Sequence, residues 1–223
     1  RLTRREIEAM IDRLAGDKPM PANLRQEIVE RTDGIPLFVE EMTKAVLEAE
    51  SRGTAERTAG AIPSLAVAVP ATLHASLMAR LDRLAGAREI AQVGATLGRE
   101  FSYELLQAVA QRDEATLQVG LQQLVTAELL YQRGAPPQTM FVFKHALIQD
   151  TAYQSLLKST RQQYHQKIAQ GLEGQFPAIK ETQPELLAHH FTEAGLISQA
   201  IPYWQQAGER ASLRSAYVEA VAH

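Results

Sequence analysis

The sequence predicts a mainly α protein interrupted by one β-hairpin, and three observations point there. Aromatic residues make up 6% of the chain and β-branched runs are scarce, while Ala, Leu, Gln and Glu dominate, so helix propensity prevails almost everywhere. Apolar residues recur at three- and four-residue spacing over most of the 223 residues. Only "LLYQR" at 129–133 and "TMFVF" at 139–143 read as strands, with the turn-rich "GAPPQ" between them. An apolar content of 45% is enough for one sizeable core or two small ones.

Thr3 and Glu6 have the spacing of a capping box, and Ile7, Met10, Ile11 and Leu14 then share one helical face until Gly16 and the pair Pro19 and Pro21. A second helix is expected over 22–33 with Leu24 and Ile28 inward. A third runs from Pro36 to about Ala49, with Phe38, Met42 and Ala45 as its stripe and Glu40 one turn from Lys44. Residues 1–50 therefore read as a small helical bundle. Residues 51–69, rich in Gly, Ala, Ser and Thr without a sustained period, read as a linker.

Beyond Pro70, Leu73, Leu77, Leu81 and Leu84 mark a helix, and Ile90, Val93 and Leu97 mark another. Ser102 is placed to cap a short helix carrying Leu105 and Leu106, and Asp113 one carrying Leu117, Leu121 and Leu124. Helices followed by a hairpin is the element order of a winged-helix domain, assigned to 70–157. A helix over 145–158 is expected to close that domain, and the remainder, 158–223, is expected to be helical: 161–176 with Tyr164, Ile168 and Leu172 in step, then segments near 184–194 and 196–213. In "AGLISQAIPYWQQA", Gly195, Ala200, Ile201, Tyr203, Trp204 and Ala207 fall where a tetratricopeptide repeat puts its packing residues, so this part reads as the start of such an array. Because the chain opens without Met and "YVEAVAH" carries a helical pattern to its end, it is expected to be a piece of something longer.

Several chemistries lack their residues. The chain has no cysteine, which removes disulfides, thiolate metal sites and cysteine nucleophiles. No glycine pair precedes a lysine at phosphate-loop spacing, and "GATLGRE" lies in an amphipathic helix as a close-packing site. His189, His190 and Glu193 share a helix, but adjacent histidines point about 100° apart, so no metal site is expected. Neither a G-x-S-x-G elbow nor an H-E-x-x-H helix occurs, so no catalytic constellation is present. A net charge of -3 and the lack of a membrane-length apolar run leave no reason to expect a membrane partner, and a cytoplasmic location is expected.

Winged helices commonly read DNA with their third helix, here "DEATLQVGLQQLVTAE". It holds three acidic residues and no basic one, and the wing "RGAPPQT" offers only Arg133. The counterion-release contribution to DNA affinity is therefore nearly absent. Lys158, Arg161 and Lys167 read as a solvated face. A DNA-binding transcriptional regulator remains the alternative reading, with nucleic acid not expected as a partner.

Two segments exceed what helix packing requires. "DGIPLFVEE" breaks a helix at Gly34 and restarts it at Pro36, and "FVFKHALIQDTAYQSLL" places His145 where the second wing strand passes into a helix. In this order they resemble the motifs of the signal-transducing STAND ATPases, relatives of AAA proteins. "GIPLFV" is similar to the G-x-P motif of that family and "KHALIQDTA" to its M-H-D motif, with Lys144 in place of Met and Ala146 in place of Asp. The run from "GIPLFVEEMTKAVLE" to "AGLISQAIPYWQQAGERA" looks most like bacterial members linked to adenylate or guanylate cyclase domains.

The resemblance implies a non-catalytic regulatory fragment in which residues 1–50, as a helical lid subdomain, and the winged-helix domain close as a lid over ATP or ADP, with Mg, held mainly by an upstream P-loop domain of the same protein. It implies that Gly34, Ile35 and Pro36 shape the loop at the base, and that His145 meets the β-phosphate of ADP. It also implies a protein partner or signal at the tetratricopeptide-like helices.

Overall fold

The computed structural model describes residues 1–18, 20–58, 72–135 and 138–213. They form twelve helices and three short strands, a mainly α fold divided into two compact units, Arg1–Arg83 and Leu84–His223.

The first unit contains helices α1 (Arg4–Ala15), α2 (Ala22–Thr32), α3 (Pro36–Thr58) and α4 (Leu73–Arg83). Both halves of the Thr3–Glu6 capping box are present at the start of α1. Ile7 and Ile11 of α1, Leu24 and Ile28 of α2, and Phe38, Val39, Met42 and Val46 of α3 make one core, with Leu73 of α4 packed against it. Glu40 and Lys44, both part-buried, pair at 2.8 Å one turn apart on α3, as their spacing allows.

Two boundaries differ from the sequence reading. Helix α3 does not stop near Ala49 but continues to Thr58, eight residues into the stretch expected as a linker; residues 59–69 lie outside the described residues. Small polar residues weaken an apolar stripe, yet unlike proline they do not exclude helical backbone. Helix α4, expected within 70–157, belongs instead to the first unit. Buried Arg80 of α4 pairs with buried Glu41 of α3, Arg83 reaches Glu48 at 3.2 Å, and the Ser76 hydroxyl donates to the Glu41 carbonyl at 3.4 Å. These polar contacts, invisible to apolar periodicity, tie α4 to α3 alongside the packing of Leu73.

The second unit opens with α5 (Ala85–Leu97), β1 (Glu100–Ser102), α6 (Tyr103–Ala110), α7 (Glu114–Thr126), β2 (Leu130–Arg133) and β3 (Met140–Phe143). The antiparallel sheet has the order β1-β3-β2, with Phe101 opposite Phe141 and Leu130 opposite Phe143. This is the winged-helix topology, and its β1 is an addition to the two expected strands. Three residues are too few for alternation to show. Ser102 caps α6 through the Leu105 amide, and Asp113 caps α7 through the Thr116 amide. Gly94 is a close-packing position as expected, but its neighbour is the Phe101 ring of β1, which an added Cβ would approach to 2.7 Å.

Next come α8 (Ala146–Gln154), α9 (Lys158–Gln175), α10 (Pro177–Thr182), α11 (Pro184–Glu193) and α12 (Ile197–Leu213). Helix α10 was not expected; it occupies one turn and a half between Pro177 and Pro184, each of which starts a helix. Helices α11 and α12 form a hairpin. The ring of Phe191 stacks on Tyr203 at 5.7 Å, and the Trp204 indole donates to the Thr192 hydroxyl at 3.0 Å. Among the described residues no helix is long and apolar enough to cross a membrane.

Candidate functional site

The junction between α2 and α3 is built by two successive left-handed residues, Asp33 at φ 47° and Gly34 at φ 69°. The Gly34 carbonyl accepts from the Leu2 amide at 2.7 Å. A Cβ at position 34 would stand 2.4 Å from the Leu2 carbonyl oxygen, so the incoming N-terminal segment itself demands glycine there. Gly34 is buried, and its carbonyl is already occupied. What the junction offers outward is the Ile35 side chain, 42% exposed, and the exposed ring of Pro36 at the first position of α3.

Proline at that position supplies no amide, and the Phe38 and Val39 amides turn back to the Ile35 carbonyl at 2.9 and 3.0 Å. No acidic residue stands in the first turn of α3. The positive end of its dipole is therefore not neutralised by a side chain of that turn.

His145, in the second unit, has extended backbone at φ -133° and ψ 146° and is the N-cap residue of α8 without a capping side-chain bond. The first turn of α8 holds no acidic residue. The imidazole Nε2 is shielded from water and has no hydrogen-bond partner among the described residues. Lys144, where the resembled motif has Met, pairs through Nζ with Glu128 at 3.1 Å, and its amide donates to the Leu129 carbonyl. Its ammonium is thus directed to the end of α7. Gly34, Ile35 and Pro36 form one contiguous turn in the first unit, and His145 stands at a helix start in the second.

Of the histidines singled out on α11, His189 is exposed and His190 buried, the divergence their adjacency requires. Glu193 is exposed, and no group of three potential ligands suits a metal ion among the described residues. The buried partner of His190 escaped the sequence reading. It is His165 of α9, whose Nδ1 lies 2.8 Å from His190 Nδ1, while His165 Nε2 meets the Tyr153 hydroxyl at 3.0 Å. Burial first, then the neighbouring His189 and Arg161, pushes His165 down to about 4. Burial, His165 and His189 push His190 to about 3.

Both rings are therefore neutral near pH 7, and one proton is shared between the facing nitrogens. Either the Tyr153 hydroxyl donates to His165 Nε2 and His165 donates onward to His190, or the two bonds run the other way. The sequence did hold a signal. His165, Ile168, Ala169 and Leu172 fall at helical spacing and are all buried, so the inward stripe of α9 begins at His165 rather than Tyr164.

No protein-family model matches the chain. It is 29% identical over 228 residues to an uncharacterized protein of Rhizobium meliloti (strain 1021), an alignment that takes in 99% of this chain and 22% of that protein. The chain thus spans about a fifth of the length of the curated relative it matches.

Proposed function

We propose that this chain is a non-catalytic regulatory portion of a STAND-type ATPase: a nucleotide-sensing lid that couples ATP or ADP state to a helical protein-interaction region. The observation that carries this reading is the α2–α3 junction. An apolar Ile35 is held outward by a turn anchored to Leu2, at a helix start with no acidic residue in its first turn. A flat base can lie against such an exposed apolar edge, and a helix start favours anionic groups. The resemblance assigns His145 to the β-phosphate, and the start of α8, which His145 caps, is likewise free of acidic residues.

In this mechanism ADP, held mainly by an upstream P-loop domain, keeps the lid closed, and exchange for ATP releases it. A ligand shifts such an equilibrium only through contacts that differ between its two states. The α11–α12 hairpin fits the interaction role. Ile197 and Ile201 stand one turn apart on α12, both about half exposed, an apolar edge for a following helix or a partner.

The test is ADP retention by the full-length protein. Ile35→Ser and His145→Ala together should speed ADP release by about tenfold or more, equivalent to about 1.4 kcal/mol. Unchanged release in the double variant overturns the proposal. The winged-helix topology also suits a DNA-binding regulator, and a salt titration separates the two readings. DNA binding requires affinity for random duplex that falls steeply with salt, whereas the lack of any basic residue on α7 leads us to expect none.

A further inference from the structure

We propose that Tyr153, His165 and His190 form a hydrogen-bond relay from α8 to the α11–α12 hairpin, in which the Tyr153 hydroxyl sets the tautomer of His190 through His165. The relay crosses three helices of the second unit: Tyr153 is the penultimate residue of α8, His165 lies on α9 and His190 on α11. Its two contacts measure 3.0 and 2.8 Å. Both histidines are almost fully buried, so water does not compete for the facing nitrogens.

Two facing Nδ1 atoms can hold only one hydrogen between them, and that constraint leaves the relay two discrete arrangements. In the first, Tyr153 donates to His165 Nε2, His165 donates from Nδ1, and His190 carries its hydrogen on Nε2. In the second, His165 donates from Nε2 to the Tyr153 oxygen, His190 donates from Nδ1, and its Nε2 is a bare lone pair. Passing from the first to the second moves the Tyr153 hydrogen to His165 Nε2 and the His165 Nδ1 hydrogen to His190 Nδ1. His190 gives its Nε2 hydrogen to water and Tyr153 takes one back, so every group stays neutral. What His190 presents at Nε2 therefore follows whether Tyr153 donates or accepts.

The surroundings favour moving hydrogen over creating charge. The groups that bear on the rings are Arg161 of α9, whose guanidinium lies 5.1 Å from the centre of the Tyr153 ring, and His189 of α11, whose ring lies 5.8 and 5.4 Å from those of His165 and His190. Neither is an anion, so neither stabilises an imidazolium.

The two ends of the relay stand where coupling needs them. About 12 Å of helix carries a displacement at His145 to Tyr153. At the far end, Phe191 and Thr192 follow His190 and hold α12 through the Tyr203 stack and the Trp204 indole. A movement of α8 that turns or withdraws the Tyr153 hydroxyl is thus read next to the contacts that build the hairpin. The proposed lid is needed only for the signal that moves α8.

The experiment reads the imidazole nitrogen chemical shifts of the isotope-labelled chain near neutral pH, which distinguish the two tautomers of each ring. His165 and His190 should show complementary forms, Nδ1–H on one matched by Nε2–H on the other. Tyr153→Phe should change the His190 tautomer ratio by about fivefold or more, the scale of one lost hydrogen bond, and leave exposed His189 as it was. Tyrosine fluorinated beside the hydroxyl is a stronger donor that keeps the side chain in place, and its incorporation should put His190 in the Nε2–H form. A His190 ratio unmoved by Tyr153→Phe, or Nδ1–H persisting on His190 with fluorotyrosine, overturns the proposal. In the full-length protein, hydrogen exchange of α11 and α12 should differ between the ADP and ATP states, and Tyr153→Phe should abolish that difference without changing ADP release. A difference that survives in the variant overturns the relay and leaves the lid standing. No difference between ADP and ATP in α1–α3 or α8 overturns the lid, and the imidazole shifts, recorded without nucleotide, then decide the relay alone.

Discussion

The Nδ1 atoms of His165 on α9 and His190 on α11 face each other at 2.8 Å inside the second unit, with the Tyr153 hydroxyl closing the other side of His165. Such a contact requires one nitrogen to carry hydrogen and the other a lone pair, so it holds while the pair carries at most one extra proton. Both folded values, about 4 and about 3, lie below the ordinary 6.5.

Stability should therefore depend on pH in a set direction. Below about pH 6.5 the unfolded chain takes up protons that the folded pair refuses, so the contribution present at neutral pH is lost as pH falls toward 4. The two imidazoles titrate as a coupled pair, with a limiting slope of roughly 2.7 kcal/mol per pH unit at about 1.36 kcal/mol per proton. Urea unfolding followed by fluorescence of Trp204, the chain's one tryptophan, should show a lower midpoint at pH 5.5 than at pH 7.5. His190→Gln keeps a hydrogen-bonding group but does not titrate, and should flatten that difference. An equal difference in the variant would place its origin elsewhere.

Glu41 and Arg80 join α3 to α4 with both side chains almost fully buried. Arg80 also reaches Glu48 at 3.4 Å, so the charge that removal of one partner strands is that of Glu41. Arg80→Met alone should thus cost roughly 3–5 kcal/mol. Glu41→Leu with Arg80→Met leaves no charge behind and should recover most of that loss. Equilibrium urea unfolding of the two variants tests this, and equal losses would show that the pair is not coupled.

Gly34 and Gly16 both adopt positive φ, but an added Cβ at 34 meets the Leu2 backbone while nothing stands within 4 Å at 16. Gly16, at φ 55° and ψ -128°, is in a region that only glycine adopts readily, so Gly16→Ala should cost roughly 1–3 kcal/mol from backbone strain alone. Gly34→Ala should cost roughly 1–3 kcal/mol more, because the Leu2–Gly34 hydrogen bond must give way. Thermal unfolding of both variants gives the comparison, and equal melting temperatures would remove the Leu2 contact from the account.

Within helices the contrast reverses. Gly174 of α9 has open space, so Gly174→Ala should stabilise by up to about 1 kcal/mol through helix propensity. Gly94→Ala gains the same propensity but drives a methyl to 2.7 Å from the Phe101 ring, itself stacked on Phe141 at 5.9 Å. Overpacking there should cost roughly 1–3 kcal/mol. Chemical denaturation should therefore order the stabilities as Gly174→Ala, the parent chain, then Gly94→Ala.

By itself the sequence determined what acts within a turn or two of chain. The Thr3–Glu6 box, the Ser102 and Asp113 caps, the apolar stripes and the two longer strands are local, and the backbone obeys them. It also marked Gly34 and His145 as unusual, though not that Leu2 occupies the Gly34 carbonyl and leaves Ile35 as the outward surface. Only tertiary structure decided the pairings between distant elements: Arg80 with Glu41, β1 with β3, and His165 with His190. Periodicity states that a face is buried, not what covers it. A histidine or an arginine on such a face has a meaning only once another element brings the proton or the charge that completes it.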